Sequence, residues 1–163
     1  MMTAFHNPAF FTLTCTALGL IVGSFLNVVI LRLPQMMEQS WRRECYELLN
    51  QPLSGEDPLT LSYPGSQCPG CGTAIKLWHN LPVISWLTLR GRCTQCDMRI
   101  SARYPMVELF TALLSGFAAW QFGFGPEAIS ALVLIWVLIA LTGIDMDTQL
   151  LPDSMTLPLL WLG

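Results

Sequence analysis

The chain has 163 residues, of which 53% are hydrophobic and 12% are charged, and its formal net charge is −3. The charged fraction is about half that of an ordinary soluble domain, so the composition argues against that class. All eight Lys and Arg lie between Arg32 and Arg103, while residues 1–31 carry no charge and residues 104–163 carry five acids and no base. Such segregation is typical of membrane segments that flank a basic loop.

The first predicted element is a membrane-spanning helix over residues 8–31. This stretch has no charged residue, and a helix of that length can cross a hydrocarbon core of ~30 Å. A secretory signal peptide is the alternative, but it would need a basic start and a shorter apolar core. Gly19 and Gly23 form a GxxxG pattern, which allows close helix packing, including self-association. For the polar Ser24 and Asn27, both interhelical hydrogen bonds and a place in a substrate site are open.

The predicted loop over residues 34–103 contains the strongest local motif. Pro34 is expected to break or bend the helix, and residues 35–50 could form a surface helix. Two CxxC pairs follow, separated by 21 residues: Cys68, Cys71, Cys93 and Cys96. Four thiolates at this spacing suit a closed, structural Zn²⁺ site, whereas redox thiols and disulfides are the alternatives. His79 is either a substitute ligand or an ordinary loop residue.

The residues between the two cysteine pairs are predicted to complete a small zinc ribbon made of turns and strands. Its apolar core would consist of Trp78, Leu81, Val83, Ile84, Trp86 and Leu87. Cys15 lies in an apolar run and is expected to pack as a small side chain. Cys45 has no obvious partner.

The last part of the chain is predicted to contain two further spans. Residues 104–124 form an apolar run with one charge, Glu108, which Arg99 or Arg103 could neutralise. After a tight turn at residues 125–127, residues 128–144 form a third, shorter span. The chain should turn at Leu151–Pro152, and Asp153 is placed to cap a fourth helix. That segment stops after ten residues, so we expect the chain to be a fragment or a truncated form.

These elements predict an all-α polytopic membrane protein with three complete transmembrane helices, the start of a fourth, and a cytoplasmic zinc-ribbon-like loop. We divide it into residues 1–33, 34–103 and 104–163, the last being a truncated membrane domain. Because positively charged loops stay in the cytoplasm, the cysteine segment and Asp145 should share the cytoplasmic face. The lipid bilayer is the expected environment, and no nucleic-acid partner is expected.

Three carboxylates after the third span are candidates for acid–base chemistry. An aspartic protease needs two carboxylates that share a proton, because their mutual repulsion raises one pKa. Asp145 and Asp147 are two residues apart, so their side chains diverge on a helix. Asp153 is explained as a helix cap. The residues themselves therefore leave Asp145 as one good candidate without a convincing partner.

Several short motifs occur together in a specific order. They are Gly23-Ser-Phe-Leu-Asn-Val28, Arg32-Leu-Pro34, the two CxxC pairs with Gly91 before the second, Arg103-Tyr-Pro-Met-Val-Glu-Leu109, Ile144-Asp145, and Leu150-Leu-Pro-Asp153. In this order and spacing the chain resembles the bacterial type IV prepilin peptidases, which are bifunctional leader peptidases and N-methyltransferases of the inner membrane. The resemblance runs nearly end to end.

The resemblance implies a concrete activity. Members of that family cut the basic leader from prepilins and pseudopilins at the cytoplasmic face, and then methylate the new N-terminal amine with S-adenosylmethionine. It implies that Asp145 is the first catalytic aspartate, while the second belongs to a GxGD motif that these 163 residues do not contain. The cysteines and, less directly, Gly91 would serve methyl transfer, Gly91 as a cofactor-binding residue. The alternatives are a non-catalytic zinc-ribbon scaffold anchored in the membrane and a membrane thiol oxidoreductase.

Overall fold

A computed structural model describes residues 7–51, 59–65, 67–68, 70–73 and 82–162. It contains five helices: α1 (Pro8–Leu48), α2 (Ile84–Thr88), α3 (Arg103–Phe122), α4 (Pro126–Thr148) and α5 (Asp153–Leu162). The described residues between 67 and 102 are called the cysteine loop. In the described parts of the chain an isolated β-bridge pairs Arg92 with Arg99. The mostly helical class is confirmed, whereas no strands of a zinc ribbon occur among these residues.

Helix α1 starts at a conventional cap and runs further than the sequence predicts. The Asn7 side chain accepts the N–H of Ala9 at 3.1 Å, and Pro8 occupies the first turn, where a missing N–H costs nothing. Of the two predicted effects of Pro34, a break in the helix is wrong, because α1 continues through this residue for 14 more residues to Leu48. The Pro34 ring is buried, and the following Met, Glu, Gln and Arg residues favour helix.

Close packing between α1 and α3 forms the centre of the structure. A Cβ atom on Gly19 would lie 2.8 Å from the Cα of Ala112, and one on Gly23 would lie 2.8 Å from the Cα of Glu108. Only glycine allows the two backbones to approach this closely. The GxxxG face is therefore occupied by α3 of the same chain and is not available for self-association.

Two apolar clusters hold α4 against this pair, and polar contacts lie among them. One cluster includes Phe11, Cys15, Ala118, Ala119, Ala128 and Leu132, and the other Leu26, Val29 and Ala140. Trp136 contacts both clusters and donates to the Ser115 hydroxyl at 2.9 Å. The Asn27 amide donates to the Tyr104 carbonyl at 3.0 Å. Of the two roles left open for Asn27, the interhelical hydrogen bond is the one that the structure contains.

Helices α1 and α4 are long and apolar enough to cross a membrane. Only 39% of the residues in the most apolar part of α1 and 28% in that of α4 are buried within the chain. The core helix of a soluble protein would be largely covered by its own chain, so these mostly exposed apolar faces favour contact with lipid. The exposed side chains on α1 include Leu13, Ile21 and Phe25.

The end of α4 differs in detail from the prediction. The helix continues to Thr148 and closes on Gln149 in the left-handed conformation, with φ at 54°. Asp147 therefore lies in the last turn of α4 and not in the following loop. Asp153 is the first residue of α5, and the backbone carbonyl of Pro152 accepts the first helical N–H groups. The predicted cap is therefore wrong by one position, since Pro152 precedes the helix as its cap and Asp153 lies in the first turn of α5.

Candidate functional site

The cysteine loop brings its four cysteines into one cluster. Their sulfur atoms all lie within 4.8 Å of one another, with Cys68 and Cys96 at 3.7 Å and Cys71 and Cys93 at 4.0 Å. All four are free thiols. A tetrahedral Zn²⁺ with Zn–S bonds of ~2.3 Å places its sulfur atoms about 3.8 Å apart. The four cysteines therefore fit a metal ion, and structural zinc is consistent with this donor set.

Two nearly identical backbone turns hold the cysteine pairs. In the first, the carbonyl of Cys68 accepts the N–H of Gly72 at 2.9 Å, and the N–H of Cys68 donates to the carbonyl of Thr73 at 3.0 Å. The second turn repeats both bonds, with Asp97 donating to Cys93 and Cys93 donating to Met98. Gly72 and Asp97 occupy the equivalent position and both have positive φ, at 68° and 56°. This repeated turn presents each cysteine pair to a common centre.

The electrostatics of the cluster also favour a cation. Hydrogen bonds from the side chain and backbone of Thr73 lower the pKa of Cys71 to about 6. At Cys96 a hydrogen bond from the Met98 backbone lowers the pKa, but burial and the three neighbouring cysteines outweigh it and raise the pKa to about 12. Four sulfur atoms this close cannot all be ionised without a compensating charge, and a divalent metal supplies that charge.

Gly91 lies beneath the side chain of Trp86. It is buried, has φ at 65°, and a Cβ atom on it would lie 2.9 Å from the Trp86 indole ring. The Trp86 Nε1 donates to the Ile100 carbonyl at 3.2 Å, and the Gly91 N–H donates to the Trp86 carbonyl at 2.9 Å. Any larger residue would combine an unfavourable backbone conformation with a steric clash. The geometry gives Gly91 a place in the internal packing of the loop.

The predicted apolar core of the loop is only partly observed. Ile84 and Leu87 are 58% and 60% exposed, so they do not form a core within this chain. Trp86 does pack, against Gly91. Trp78, Leu81 and His79 lie outside the described residues.

The carboxylates at the end of α4 have different surroundings. Asp147 accepts a hydrogen bond from the Arg103 guanidinium at 2.6 Å, and the same guanidinium donates to the Gly143 carbonyl at 3.2 Å. Asp145 is exposed, and within the described residues its carboxylate has no hydrogen-bond or ion-pair partner. Arg103 therefore neutralises Asp147 and clamps the last turn of α4.

Glu108 lies on α3, within the predicted second span, but its partners differ from those that the sequence suggested. It is 7% exposed, and its carboxylate accepts the backbone N–H of Val83 at 2.6 Å and a hydrogen bond from the Ser24 side chain. The expected neutralisation by Arg103 does not occur, because that side chain pairs with Asp147. No ion pair of Arg99 with Glu108 occurs in the described structure. The only signal in the sequence was an acid within an apolar run.

The comparisons with known proteins decide the family. The chain matches the model described as Bacterial Peptidase A24 N-terminal domain over residues 17–122. The chain belongs to this peptidase family. The matched region includes most of α1, the cysteine loop and α3, so the A24 N-terminal domain contains the four-cysteine cluster. The resemblance to prepilin peptidases that the motifs indicated is confirmed.

Individual members of the A24 family support the same assignment. The chain is 54% identical over 157 residues to a prepilin leader peptidase/N-methyltransferase of Pseudomonas putida, and 53% identical over 148 residues to one of Neisseria gonorrhoeae. These matches cover 96% and 90% of the chain but only 54% and 52% of the relatives. The chain therefore spans about half the length of the curated relatives it matches. No solved structure matches the chain.

Proposed function

We propose that the chain takes part in cleaving the leader of prepilins or pseudopilins at the cytoplasmic face of the bacterial inner membrane, and in methylating the new N-terminal residue. The relatives that are about half identical to it carry the name prepilin leader peptidase/N-methyltransferase. The observation that carries the peptidase part is the exposed Asp145 at the end of the apolar helix α4, whose carboxylate has no partner among the residues that the structure describes. The lipid bilayer and the prepilin are the partners in this proposal.

The proposed topology follows from charge and helix length. α1, α3 and α4 would be the three complete spans, and α5 the start of a fourth. The basic residues lie between Arg32 and Arg103, so this loop is assigned to the cytoplasm. Asp145 then lies at the same membrane face as the cysteine loop. The division at residues 33 and 103 remains a prediction, with α1 continuing across the first boundary.

In this proposal Asp145 supplies one carboxylate of an aspartic peptidase pair. Two carboxylates in close contact share one proton, so that one acts as base and the other as acid at the same pH. The base removes a proton from water as it attacks the peptide carbonyl, and the acid protonates the leaving amine. By resemblance, the second carboxylate belongs to a GxGD motif.

For the methyltransferase part, Cys68, Cys71, Cys93 and Cys96 would hold a structural Zn²⁺ that cross-links the two turns of the cysteine loop. A four-thiolate site has no open coordination position, so the metal would order the loop and not take part in the reaction. S-adenosylmethionine is the methyl donor that the resemblance implies. We propose that Gly91, which lies under Trp86, supports donor binding by allowing this packing.

The test replaces Asp145 with Ala in the full gene product. Leader cleavage should fall at least ~100-fold, because general acid–base catalysis typically contributes that much, while methylation of a pre-cut prepilin should change less than about 2-fold. Asp147→Asn is the matched control, and it should retain cleavage. Retained cleavage by Asp145→Ala would contradict the role of Asp145, and equal losses in both variants would indicate damage to α4.

A further inference from the structure

Glu108 is a buried carboxylate that joins three parts of the chain. It lies on α3, accepts the Val83 N–H of the cysteine loop at 2.6 Å, and is hydrogen-bonded by Ser24 of α1. Within the described residues it forms no salt bridge. A buried acid inside an apolar helix is costly and marks a functional site more often than a packing accident. Neither proposed reaction uses it directly.

The residue that Glu108 holds has an unusual backbone conformation. Val83 has φ at 57° and ψ at −46°, and the N–H of Ile84 bonds to the carbonyl of Pro82 at 2.5 Å. These values describe a γ-turn of the rare, strained form, and a β-branched residue is especially unfavourable at positive φ. Such conformations persist only where contacts with the surrounding structure stabilise them. The Glu108 carboxylate provides such a contact, because it accepts the N–H of Val83, the central residue of the turn.

The position of this γ-turn determines where the rest of the cysteine loop begins. Val83 is the cap of α2, which carries Trp86, the residue that packs over Gly91. Gly91 is followed closely by Cys93, the first ligand of the second cysteine pair. The hydrogen bond of Glu108 is thus a contact through which α3 fixes the start of this folded segment.

We propose that Glu108 is a positioning residue that fixes the cysteine loop against α1 and α3, and that methyl transfer depends on it more than leader cleavage does. This inference rests on the proposed function. Glu108 acts as a hydrogen-bond acceptor for Val83 and does not exchange a proton or contact substrate. A glutamine side chain has a carbonyl oxygen at the same place, so it should preserve the hydrogen bond. An apolar side chain of similar size should not.

The first test compares Glu108→Gln and Glu108→Leu in the full gene product. Glu108→Leu should lower prepilin methylation about 10-fold, because it leaves the partly buried Val83 N–H without an acceptor, and should change leader cleavage less than about 3-fold. Glu108→Gln should keep both activities within about 2-fold. Leu109→Ala changes the exposed neighbour on the same helix and should have no effect. Loss of methylation in Glu108→Gln would show that the charge is required and would overturn the proposal.

A rescue experiment separates positioning from general destabilisation. Val83→Gly keeps the N–H but removes the cost of positive φ, so the γ-turn needs less support. The double change Val83→Gly with Glu108→Leu should recover about half of the methylation lost in Glu108→Leu, on a logarithmic scale. The absence of any recovery would contradict the role of the γ-turn. If Glu108→Leu does not accumulate, the behaviour of Glu108→Gln decides the question.

Amide hydrogen exchange tests the same contact without either activity. In Glu108→Leu the peptide that contains Val83 should exchange about 10-fold faster, whereas in Glu108→Gln and Leu109→Ala it should be unchanged. Unchanged exchange in Glu108→Leu would overturn the proposal. If the unaltered gene product shows neither cleavage nor methylation, the proposed function fails, and the exchange measurement still reports on Glu108.

Discussion

The helical part of the molecule and the cysteine loop are held together by different means. In α1, α3 and α4, apolar and small side chains pack directly, and glycines bring two helix backbones into contact. In the cysteine loop, large side chains such as Ile84 and Leu87 are exposed, and the order comes from backbone turns around four thiols. A small segment with so little buried apolar surface needs a cross-link, which a metal can supply.

Because of this difference, we expect the helices and the cysteine loop to differ in how well they tolerate the loss of a contact. The helices can lose a single polar contact and keep their packing, because burial is spread over many residues. The loop depends on a few ligands and on contacts that join it to the helices, such as the hydrogen bond between Val83 and Glu108. We therefore expect the two regions to fail separately.

Metal removal should have the largest effect and should act on the loop alone. Zinc bound to four thiolates contributes roughly 10–16 kcal/mol in small zinc domains, so a chelator or Cys96→Ser should disorder the cysteine loop. Metal analysis should give about one zinc per chain before treatment, and limited proteolysis should then cut within the loop. The helical circular dichroism should change little. Acid should act in the same direction, since zinc is lost as the thiolates become protonated at falling pH.

Cys45→Ser is the matched control, because Cys45 is an exposed cysteine on α1 outside the cluster. It should keep the metal and the protease resistance of the loop. A thiol oxidoreductase would instead contain no zinc and would cycle between dithiol and disulfide forms. Helices that melt together with the loop would contradict the separation of the two regions.

The sequence predicted those features of each region that depend on short, local patterns of residues. Residues 8–31, the turn before Pro126 and the two CxxC pairs are patterns that need no information about the fold. The rule that proline interrupts a helix failed at Pro34. The helix-propensity cost of proline is ~3 kcal/mol, and here it is outweighed by the burial of the ring and by the good helix formers around it. The contacts of Arg103 and Glu108 could not be predicted, because their partners are set by how α1, α3 and α4 pack.

A bulky residue in the contact between α1 and α3 should have the next largest effect. Gly23→Leu would place its side chain against the backbone of Glu108, and overpacking of this kind costs roughly 1–3 kcal/mol and occasionally more. Thermal unfolding in detergent, followed by circular dichroism, should show a lower midpoint. Ala17→Leu introduces the same residue on an exposed position of α1 and should leave the midpoint unchanged.

The same pair of variants tests whether these glycines serve self-association. If the face of Gly19 and Gly23 joined two chains, Gly23→Leu would change the oligomeric state in detergent and leave the unfolding midpoint of the chain in place. Since that face is covered by α3, we expect loss of stability. Cross-linking and size measurements on both variants distinguish the two outcomes.

The smallest effect should come from the ion pair between Arg103 and Asp147. It has the same 2.6 Å separation as the pair between Arg42 and Glu38, but its side chains are less exposed, at 41% and 33% against 63% and 60%. A double-mutant cycle with Arg103→Gln and Asp147→Asn should give a coupling of ~1 kcal/mol, and the cycle on the α1 pair no more than ~0.5 kcal/mol. Arg103 also donates to the carbonyl of Gly143, so its loss should loosen the helix turn that carries Asp145. Equal coupling free energies in both pairs would contradict a role of Arg103 in stabilising the last turn of α4. The position of Asp145 would then depend on the helix alone.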